Sequence, residues 1–181
     1  MKARLYDAGA RRSRGLEADR SALLAEAQGR VLEIGAGTGL NARHYPHGVD
    51  VVYTEPDPAM ALRVAVVPAA AEELPFADGS FDTVVSTLVL CSVSDLERAI
   101  AEIRRVLAPD GCLLFLEHVR ADEGSRLARW QDRLNPAWHA LAGCDCNRRT
   151  VDVLARVFRL EVRPARFTPP FARPVVAGVA R

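Results

Sequence analysis

Three glycines, Gly35, Gly37 and Gly39, follow the apolar run Arg30–Ile34 and could hold a ligand against bare backbone. A β-carbon at these positions would keep the ligand away, and a tight turn after a strand needs residues that accept a positive φ. Glu55 follows the next apolar run, where its carboxylate can accept two hydrogen bonds from a ribose diol. A glycine turn combined with a carboxylate at a strand end predicts a cofactor that contains a nucleoside.

The glycine turn has the spacing G-x-G-x-G, because Leu40 stands where the dinucleotide fingerprint G-x-G-x-x-G has its last glycine. This departure disfavours NAD and FAD, so a nucleotide-dependent oxidoreductase is the weaker alternative. Lys2 is the only lysine of the chain. A Walker A loop is therefore excluded, and Schiff-base chemistry is disfavoured.

Two residues that follow later apolar runs are candidates for chemistry. His118 ends the run Gly111–Val119, and open α/β sheets bind ligands outside the carboxyl ends of their strands. Because imidazole changes its charge near neutral pH, we predict that His118 is a general base, with a hydrogen-bonded strand-end histidine as the alternative. Cys91 follows the run Asp82–Thr87 and could line a substrate pocket, although a buried structural thiol is the commoner role.

Residues 122–149 form a segment too long for an ordinary connection, which predicts an insertion over the substrate side. Trp138 and His139 could give that pocket an aromatic wall, and a core tryptophan with a solvated neighbour fits equally well. His139, Cys144 and Cys146 are spaced H-x4-C-x-C. This spacing lacks the C-x2-C pair of common zinc sites, so we predict no metal here, with a soft substrate such as a thiol or an arsenical as an alternative ligand.

Apolar runs that alternate with helical patterns indicate a single α/β domain over residues 1–181. The central runs are continuously apolar, which is typical of parallel strands covered on both faces. We therefore predict a Rossmann-like, doubly wound, mostly parallel sheet with helices on both faces and an antiparallel final strand. The predicted strands are Arg30–Ile34, Val49–Thr54, Val64–Val67, Asp82–Thr87, Gly111–Val119, Phe158–Arg163 and Val175–Ala180.

Helical patterns accompany these strands. Residues 1–28 are expected to form an N-terminal helical flank, either a lid or a packed helix, whose apolar residues recur at helical spacing. The sequence Ser94-Asp95-Leu96-Glu97 is a capping box that predicts the start of another helix, and Pro109-Asp110-Gly111 predicts the turn that ends it. A further helix is expected directly after the glycine turn. The apolar residues of the flank are Leu16, Leu23, Leu24 and Ala27.

Charge and composition exclude several partners. The chain carries 24 Lys and Arg against 23 Asp and Glu, so its net charge of +1 provides no field to attract nucleic acid. No stretch reaches the roughly 18 uninterrupted apolar residues of a membrane span. Because Met1–Arg20 has no apolar core like that of a secretory signal, the four cysteines indicate a reducing cytoplasm. These features leave the oligomeric state open.

Four motifs together resemble the class I S-adenosylmethionine-dependent methyltransferases. They are EIGAGTG at 33–39, EPDP at 55–58, LPFADGSFD at 74–82 and RRVLAPDG at 104–111. The resemblance extends from about Gly29 to Val119, and the motifs match the family in order and spacing.

A narrower likeness connects the chain to the small thiol-methyltransferase-like enzymes of that family. It continues through TLVLCSV at 87–93, EHV at 117–119, NPAWH at 135–139 and GC at 143–144. Membrane-attached members of this group carry an N-terminal apolar anchor, which this sequence does not show, so the likeness implies the chemistry without a membrane address.

The resemblance implies S-adenosylmethionine as the cofactor. Gly35, Gly37 and Gly39 would contact its methionine part, and Glu33 would fix the amino group. Thr87, the last residue of the fourth predicted strand, is also predicted to contact the cofactor.

The ribose and adenine side departs from the family pattern. Glu55, followed by Pro56, would hold the ribose. The family's acid after the third strand falls on Ala70 here, which leaves Glu72 and the backbone of Ala71 to meet the adenine. Only residues 57–63 remain for the helix that normally separates the second and third strands, about 10 Å of helix and barely enough for a crossover.

The activity implied by the resemblance is methyl transfer to a small-molecule acceptor, with a thiol as the first candidate. Acceptor pockets lie outside the shared motifs, so the sequence does not identify the acceptor. A non-catalytic S-adenosylmethionine-binding module is the alternative, for which Ala70 and the short crossover are the reasons.

Overall fold

Six strands form one sheet in the computed structural model, which describes residues 14–166 and 174–181. The strands are β1 (Arg30–Ile34), β2 (Asp50–Tyr53), β3 (Phe81–Thr87), β4 (Leu107–His118), β5 (Leu160–Pro164) and β6 (Val175–Ala180). Their order is β2-β1-β3-β4-β6-β5, with parallel pairing from β2 to β4. The last strand, β6, is antiparallel to both β4 and β5, which confirms the predicted fold class.

Helices cover both faces of this sheet. The helices are α1 (Arg14–Leu24), α2 (Leu96–Val106), α3 (Arg126–Ala142) and α4 (Thr150–Leu154). Leu32 and Val84 pack in the cluster that holds α2, whereas Val31 and Val85 pack in the cluster that holds α1. This alternation follows from the strand, in which successive side chains point to opposite faces.

The N-terminal flank is a packed helix in its described part, since α1 places its apolar side chains in the core. Its predicted start, residues 1–13, lies outside the described residues. Within the described ranges, no helix combines the length and the apolar character that crossing a membrane requires. The buried apolar residues of the flank are Leu16, Leu23, Leu24 and Ala27.

The prediction of a third strand at Val64–Val67 is wrong. Only Val67 pairs with a neighbour, through a single parallel bridge to Thr54 beside β2. The residues between Thr54 and Val67 contain one short 3-10 turn, Pro58–Met60, in place of a crossover helix. A crossover this short cannot return the chain along the whole length of β2, so pairing stops after one residue.

Three other local predictions need correction. The helix expected after the glycine turn is only a 3-10 turn, Ala42–His44. Asp95, and not Ser94, caps α2, because its side chain accepts the backbone N–H of Arg98 at 3.0 Å. The predicted turn at residues 109–111 belongs to β4, which begins directly after α2 and shifts its register against β3 there.

The loop that precedes β3 depends on Arg105 of α2. Its Nη1 donates to the carbonyl of Phe76 at 2.7 Å, and its Nη2 donates to the carbonyl of Leu74 at 2.9 Å. Glu102 holds the guanidinium from the same helix, with a distance of 2.7 Å between Nε and Oε1. The hydrogen bonds with Glu102 and Asp78 raise the pKa of Arg105 further above its usual range, and those with the two carbonyls fix the loop at residues 74–76.

We expect Arg105→Gln to lower the free energy of unfolding by about 1–3 kcal/mol, since charged hydrogen bonds to two loop carbonyls are lost. Arg104→Gln is the matched control, because Arg104 is exposed on the same helix and carries the same charge. Urea unfolding at one pH measures both. Equal losses in the two variants would show that the loop does not depend on Arg105.

Candidate functional site

A cavity of about 640 Å³ opens at the carboxyl ends of the parallel strands. This is the edge of the sheet where α/β folds bind their ligands. Among its lining residues, Met60, Leu88, Val93, Ser94, Asp95 and Arg98 were not predicted from the sequence. The lining residues that the sequence did predict are Gly35, Gly37, Glu55, Pro56, Ala71 and Glu72.

The glycine turn has the backbone that its sequence predicts. Gly35 has a φ of 57°, and a β-carbon there would lie 2.7 Å from a methyl group of Val89. Gly37 has a φ of 53° and faces open space, with its nearest neighbour atom at 4.0 Å from a β-carbon position. Gly39 packs against Arg63 and Val64 instead and does not line the cavity. Two of the three glycines thus offer backbone to a ligand.

Glu55 is held in place at the end of β2 by two backbone N–H groups. Gly37 donates to its Oε2 at 2.8 Å, and Asp57 donates to its Oε1 at 3.1 Å. A carboxylate offers about four acceptor positions, so further hydrogen bonds can reach it from the cavity. This arrangement couples the position of the glycine turn to that of the carboxylate.

Glu33 lies beneath the cavity and does not line it. Tyr45 donates its hydroxyl to Oε2 at 2.6 Å, and the side-chain amide of Asn41 donates to Oε1 at 3.0 Å. The same amide donates to the hydroxyl of Thr87 at 3.0 Å, and Arg20 donates to the amide oxygen of Asn41. Burial raises the pKa of Glu33 to about 7, against the lowering effects of Tyr45, Arg20 and Asn41. The cofactor roles of Glu33 and Thr87 stay predictions.

Glu72 also lines the cavity. Its Oε1 accepts the backbone N–H of Ser94 at 2.7 Å and that of Asp95 at 3.3 Å. Its carbonyl accepts the guanidinium of Arg98 at 2.9 Å. The carboxylate therefore holds the entry to α2, and Ala70 and Ala71 line the cavity beside it.

Glu117, near the end of β4, holds a loop that lines the cavity, and sequence reasoning gave it no such role. Its Oε1 accepts the hydroxyl of Ser86 at 2.6 Å and the backbone N–H groups of Val89 and Leu90 at 3.0 and 3.1 Å. Its Oε2 accepts the N–H of Cys91 at 3.3 Å. Burial raises the pKa of this carboxyl, although these hydrogen bonds oppose the rise. The sequence did carry a signal for Glu117, since it is a charged residue within the apolar run Gly111–Val119.

The loop that Glu117 holds contains the only non-glycine residue of the described chain with a positive φ. Leu88 has a φ of 59°, a conformation that is strained for a leucine and persists only where surrounding contacts fix it. Leu88 and Val89 both line the cavity. Glu117 therefore shapes the cavity wall without lining it.

A second group of side chains lies behind this loop. Ligand atoms of Cys91, His118 and Cys144 lie within 4.8 Å of one another, and all three residues are buried. The Sγ of Cys144 is 3.9 Å from Nδ1 of His118 and accepts the indole N–H of Trp138 at 3.2 Å. The rings of His118 and Trp138 meet edge to face. We call Cys91, His118 and Cys144 the thiol–imidazole cluster.

The two thiols of the cluster differ in acidity. A hydrogen bond between them raises the pKa of Cys91, and burial and the charge of Glu117 raise it further. The same hydrogen bond lowers the pKa of Cys144, as do those with His118 and Trp138, against the effect of burial. Cys144 is therefore the more acidic thiol.

The cluster lies beside the cavity and does not line it. Ser92 connects the two, because it lines the cavity and its hydroxyl is 3.7 Å from Sγ of Cys91. The structure thus brings together Cys91 and His118, predicted at strand ends, with Trp138 of the predicted insertion, and adds Cys144. That His118 is a base stays a prediction.

The H-x4-C-x-C residues do not assemble with one another. His139 is exposed, and its Nδ1 lies 2.9 Å from Oδ1 of Asp145. Cys146 has its Sγ 3.5 Å from the side-chain oxygen of Asn135. Of the three residues, only Cys144 reaches the cluster.

The segment after α3 covers the loop between β3 and α2. Asp145 donates its N–H to the carbonyl of Cys91 at 2.8 Å. Arg148 donates to the carbonyls of Leu90 and Val93. The insertion predicted at residues 122–149 thus consists of α3 and a segment that encloses the thiol–imidazole cluster.

Comparisons with known proteins agree on one family. The family model for the methyltransferase domain matches residues 32–115. Human thiol S-methyltransferase TMT1A is 36% identical over 169 residues, covering 83% of this chain and 69% of its own length. Human thiol S-methyltransferase TMT1B is 39% identical over 165 residues, covering 81% and 67%. The chain therefore spans about two thirds of the length of these relatives.

A solved structure shows the same fold. An S-adenosylmethionine-dependent methyltransferase from Thermotoga maritima superposes with a TM-score of 0.72 at 24% identity. The superposition covers 92% of this chain and 89% of that one.

The carboxyl of Glu33 should make stability depend on pH. Its pKa is about 7 in the folded protein against 4.5 for an ordinary glutamate. The protonated carboxyl therefore stabilises the folded protein fully below pH 4.5, and this stabilisation is lost as the pH rises to about 7. The loss is about 3 kcal/mol, at roughly 1.4 kcal/mol per pKa unit. Glu33→Gln should remove this part of the pH dependence.

Unfolding by urea at several pH values between 4.5 and 8 measures the effect. Exposed Glu26→Gln is the control and should keep the pH profile of the unchanged protein. A profile that stays the same in Glu33→Gln would contradict the assignment.

Proposed function

Because the chain belongs to the class I S-adenosylmethionine-dependent methyltransferase family, we propose that it transfers the cofactor's methyl group to the sulfur of a small thiol. The likeness to the thiol S-methyltransferases carries this proposal. It covers 81–83% of the chain, whereas the methyltransferase domain model matches only residues 32–115. The similarity therefore includes parts of the chain beyond the common cofactor-binding core.

The residues around the cavity fit S-adenosylmethionine. The backbone of Gly35 and Gly37 would receive its methionine part, and Glu55 would accept hydrogen bonds from the ribose hydroxyls. Ala71 and Glu72 would meet the adenine from the opposite side. When bound, the cofactor supplies a methyl group on a positively charged sulfur, which is an activated leaving group.

The protein's own contribution is to position the reactants and to exclude water. Glu117 fixes the loop of Leu88 and Val89, which gives the cavity an apolar lining. The segment that follows α3 closes the other side of this loop. We therefore expect a thiol acceptor to approach the methyl group near Ser92.

We also propose a cytoplasmic location. All four cysteines are free thiols. A reducing compartment keeps thiols in this state.

Glu55→Gln should weaken the binding of S-adenosylhomocysteine by about tenfold or more, since a charged acceptor of ribose hydrogen bonds becomes neutral. Exposed Glu73→Gln changes the same charge nearby and should keep the affinity. Calorimetric titration measures both variants. Unchanged affinity in Glu55→Gln would remove the basis of the cofactor assignment.

A thiol, an amine and an alcohol that share one carbon skeleton test which atom, sulfur, nitrogen or oxygen, accepts the methyl group. We expect the protein to methylate the thiol alone with S-adenosylmethionine, because near neutral pH a thiol forms its anionic nucleophile far more readily than an alcohol does, and the amine is protonated. Mass spectrometry detects each methylated product. Methylation of the amine or alcohol in place of the thiol would contradict a thiol acceptor and would leave the family assignment intact.

A further inference from the structure

We propose that Cys91, His118 and Cys144 bind a zinc ion, whose fourth coordination position receives the sulfur of the methyl acceptor. The second part rests on the thiol acceptor proposed above. The first part rests only on the thiol–imidazole cluster.

The donor atoms of the cluster are close to the geometry of a zinc site. The three atoms lie within 4.8 Å of one another, and Sγ of Cys144 is 3.9 Å from Nδ1 of His118. A tetrahedral zinc ion, with bonds of about 2.3 Å to sulfur and 2.0–2.1 Å to nitrogen, places neighbouring ligand atoms about 3.5–3.8 Å apart. Small side-chain shifts would therefore form the site.

The donor types and their burial favour zinc. Two thiolates and one imidazole suit Zn²⁺ better than Mg²⁺ or Ca²⁺, which prefer oxygen ligands. Two thiolates also neutralise the two charges of the ion, so the loaded site adds no net charge to the protein interior. All three ligand residues are buried.

Neighbouring groups hold the ligands in place. The indole N–H of Trp138 donates to Sγ of Cys144 at 3.2 Å. The backbone of Cys91 is fixed from both sides, because its N–H donates to Glu117 and its carbonyl accepts from Asp145. Such outer contacts are what orient the ligands of metal sites.

The cluster leaves one coordination position for a substrate. In the described part of the chain, no fourth histidine, cysteine or carboxylate lies within the cluster. Catalytic zinc sites combine three protein ligands with one exchangeable position, whereas structural sites have four protein ligands. The open position would be near Ser92, which lines the cavity and has its hydroxyl 3.7 Å from Sγ of Cys91.

Zinc would make the acceptor reactive at neutral pH. The thiol R–SH binds zinc as R–S⁻ and releases its proton to solvent, as ligand thiols do. The thiolate sulfur then attacks the methyl carbon, and the bond from carbon to the cofactor's sulfur breaks with its electron pair on that sulfur. The products are the neutral thioether R–S–CH₃ and S-adenosylhomocysteine, and the thioether is the weaker zinc ligand.

Cobalt titration of the chelator-treated full chain tests the metal site. We expect one Co²⁺ per chain, with the absorption of thiolate-ligated tetrahedral cobalt, and displacement by Zn²⁺. Cys144→Ser and His118→Gln should each weaken Zn²⁺ binding at least tenfold in competition with a chromophoric chelator. Cys112→Ser and Cys146→Ser are matched controls and should bind as the unchanged protein does.

Binding of S-adenosylhomocysteine by each variant shows that it is folded, since the cavity is separate from the cluster. Folded protein without stoichiometric Co²⁺ or Zn²⁺ binding would overturn the metal site. Full binding in Cys144→Ser, or equal loss in Cys146→Ser, would overturn it as well. None of these outcomes would contradict the proposed methylation of a thiol, which the acceptor panel tests separately.

The thiol of that panel tests the open position. Its addition to the cobalt protein should change the visible cobalt spectrum, and the amine and alcohol should not. A spectrum that the thiol does not change would overturn coordination of the acceptor. If the spectrum responds but only the amine is methylated, the proposed function fails while the zinc site stands.

Discussion

One buried carboxylate determines how the two halves of the site meet. Glu117 accepts four hydrogen bonds, one from Ser86 and three from consecutive backbone N–H groups of the loop after β3. Burying a carboxylate is unfavourable unless such donors surround it, so the loop and the carboxylate stabilise each other. The same loop lines the cavity through Val89 and contributes Cys91 to the thiol–imidazole cluster.

A similar arrangement supports the other end of the cavity. Glu33 is buried under the glycine turn and accepts from Asn41 and Tyr45, while Glu55 accepts the N–H of Gly37 from above. Glu55 and Glu117 accept backbone N–H groups where the chain leaves the sheet, whereas Glu33 is held by side chains. The sheet thus positions the three carboxylates, and the carboxylates hold the loops between the strands in place.

The sequence predicted well those features that depend on neighbouring residues. The glycine turn, Glu55 and the bounds of β6 follow from local pattern and spacing. Val64–Val67 is apolar enough for a strand, yet the short connection before it prevents pairing beyond Val67. The thiol–imidazole cluster combines a loop, a strand end and the segment after α3, so its residues meet only through tertiary structure. Glu117 was visible as a charge in an apolar run, but its partners are backbone groups that no spacing rule identifies.

The absence of the predicted strand Val64–Val67 also affects how this sheet can contact other copies of the chain. In the part of the chain that the structure describes, the one pairing on that side is the bridge between Val67 and Thr54, so β2 is an edge of four residues that begins with the exposed charge of Asp50. Long, flat and apolar edges invite strand addition and aggregation, whereas short edges that carry charge resist it. A chain with this edge can therefore do without an outer strand at little risk to its solubility at high concentration.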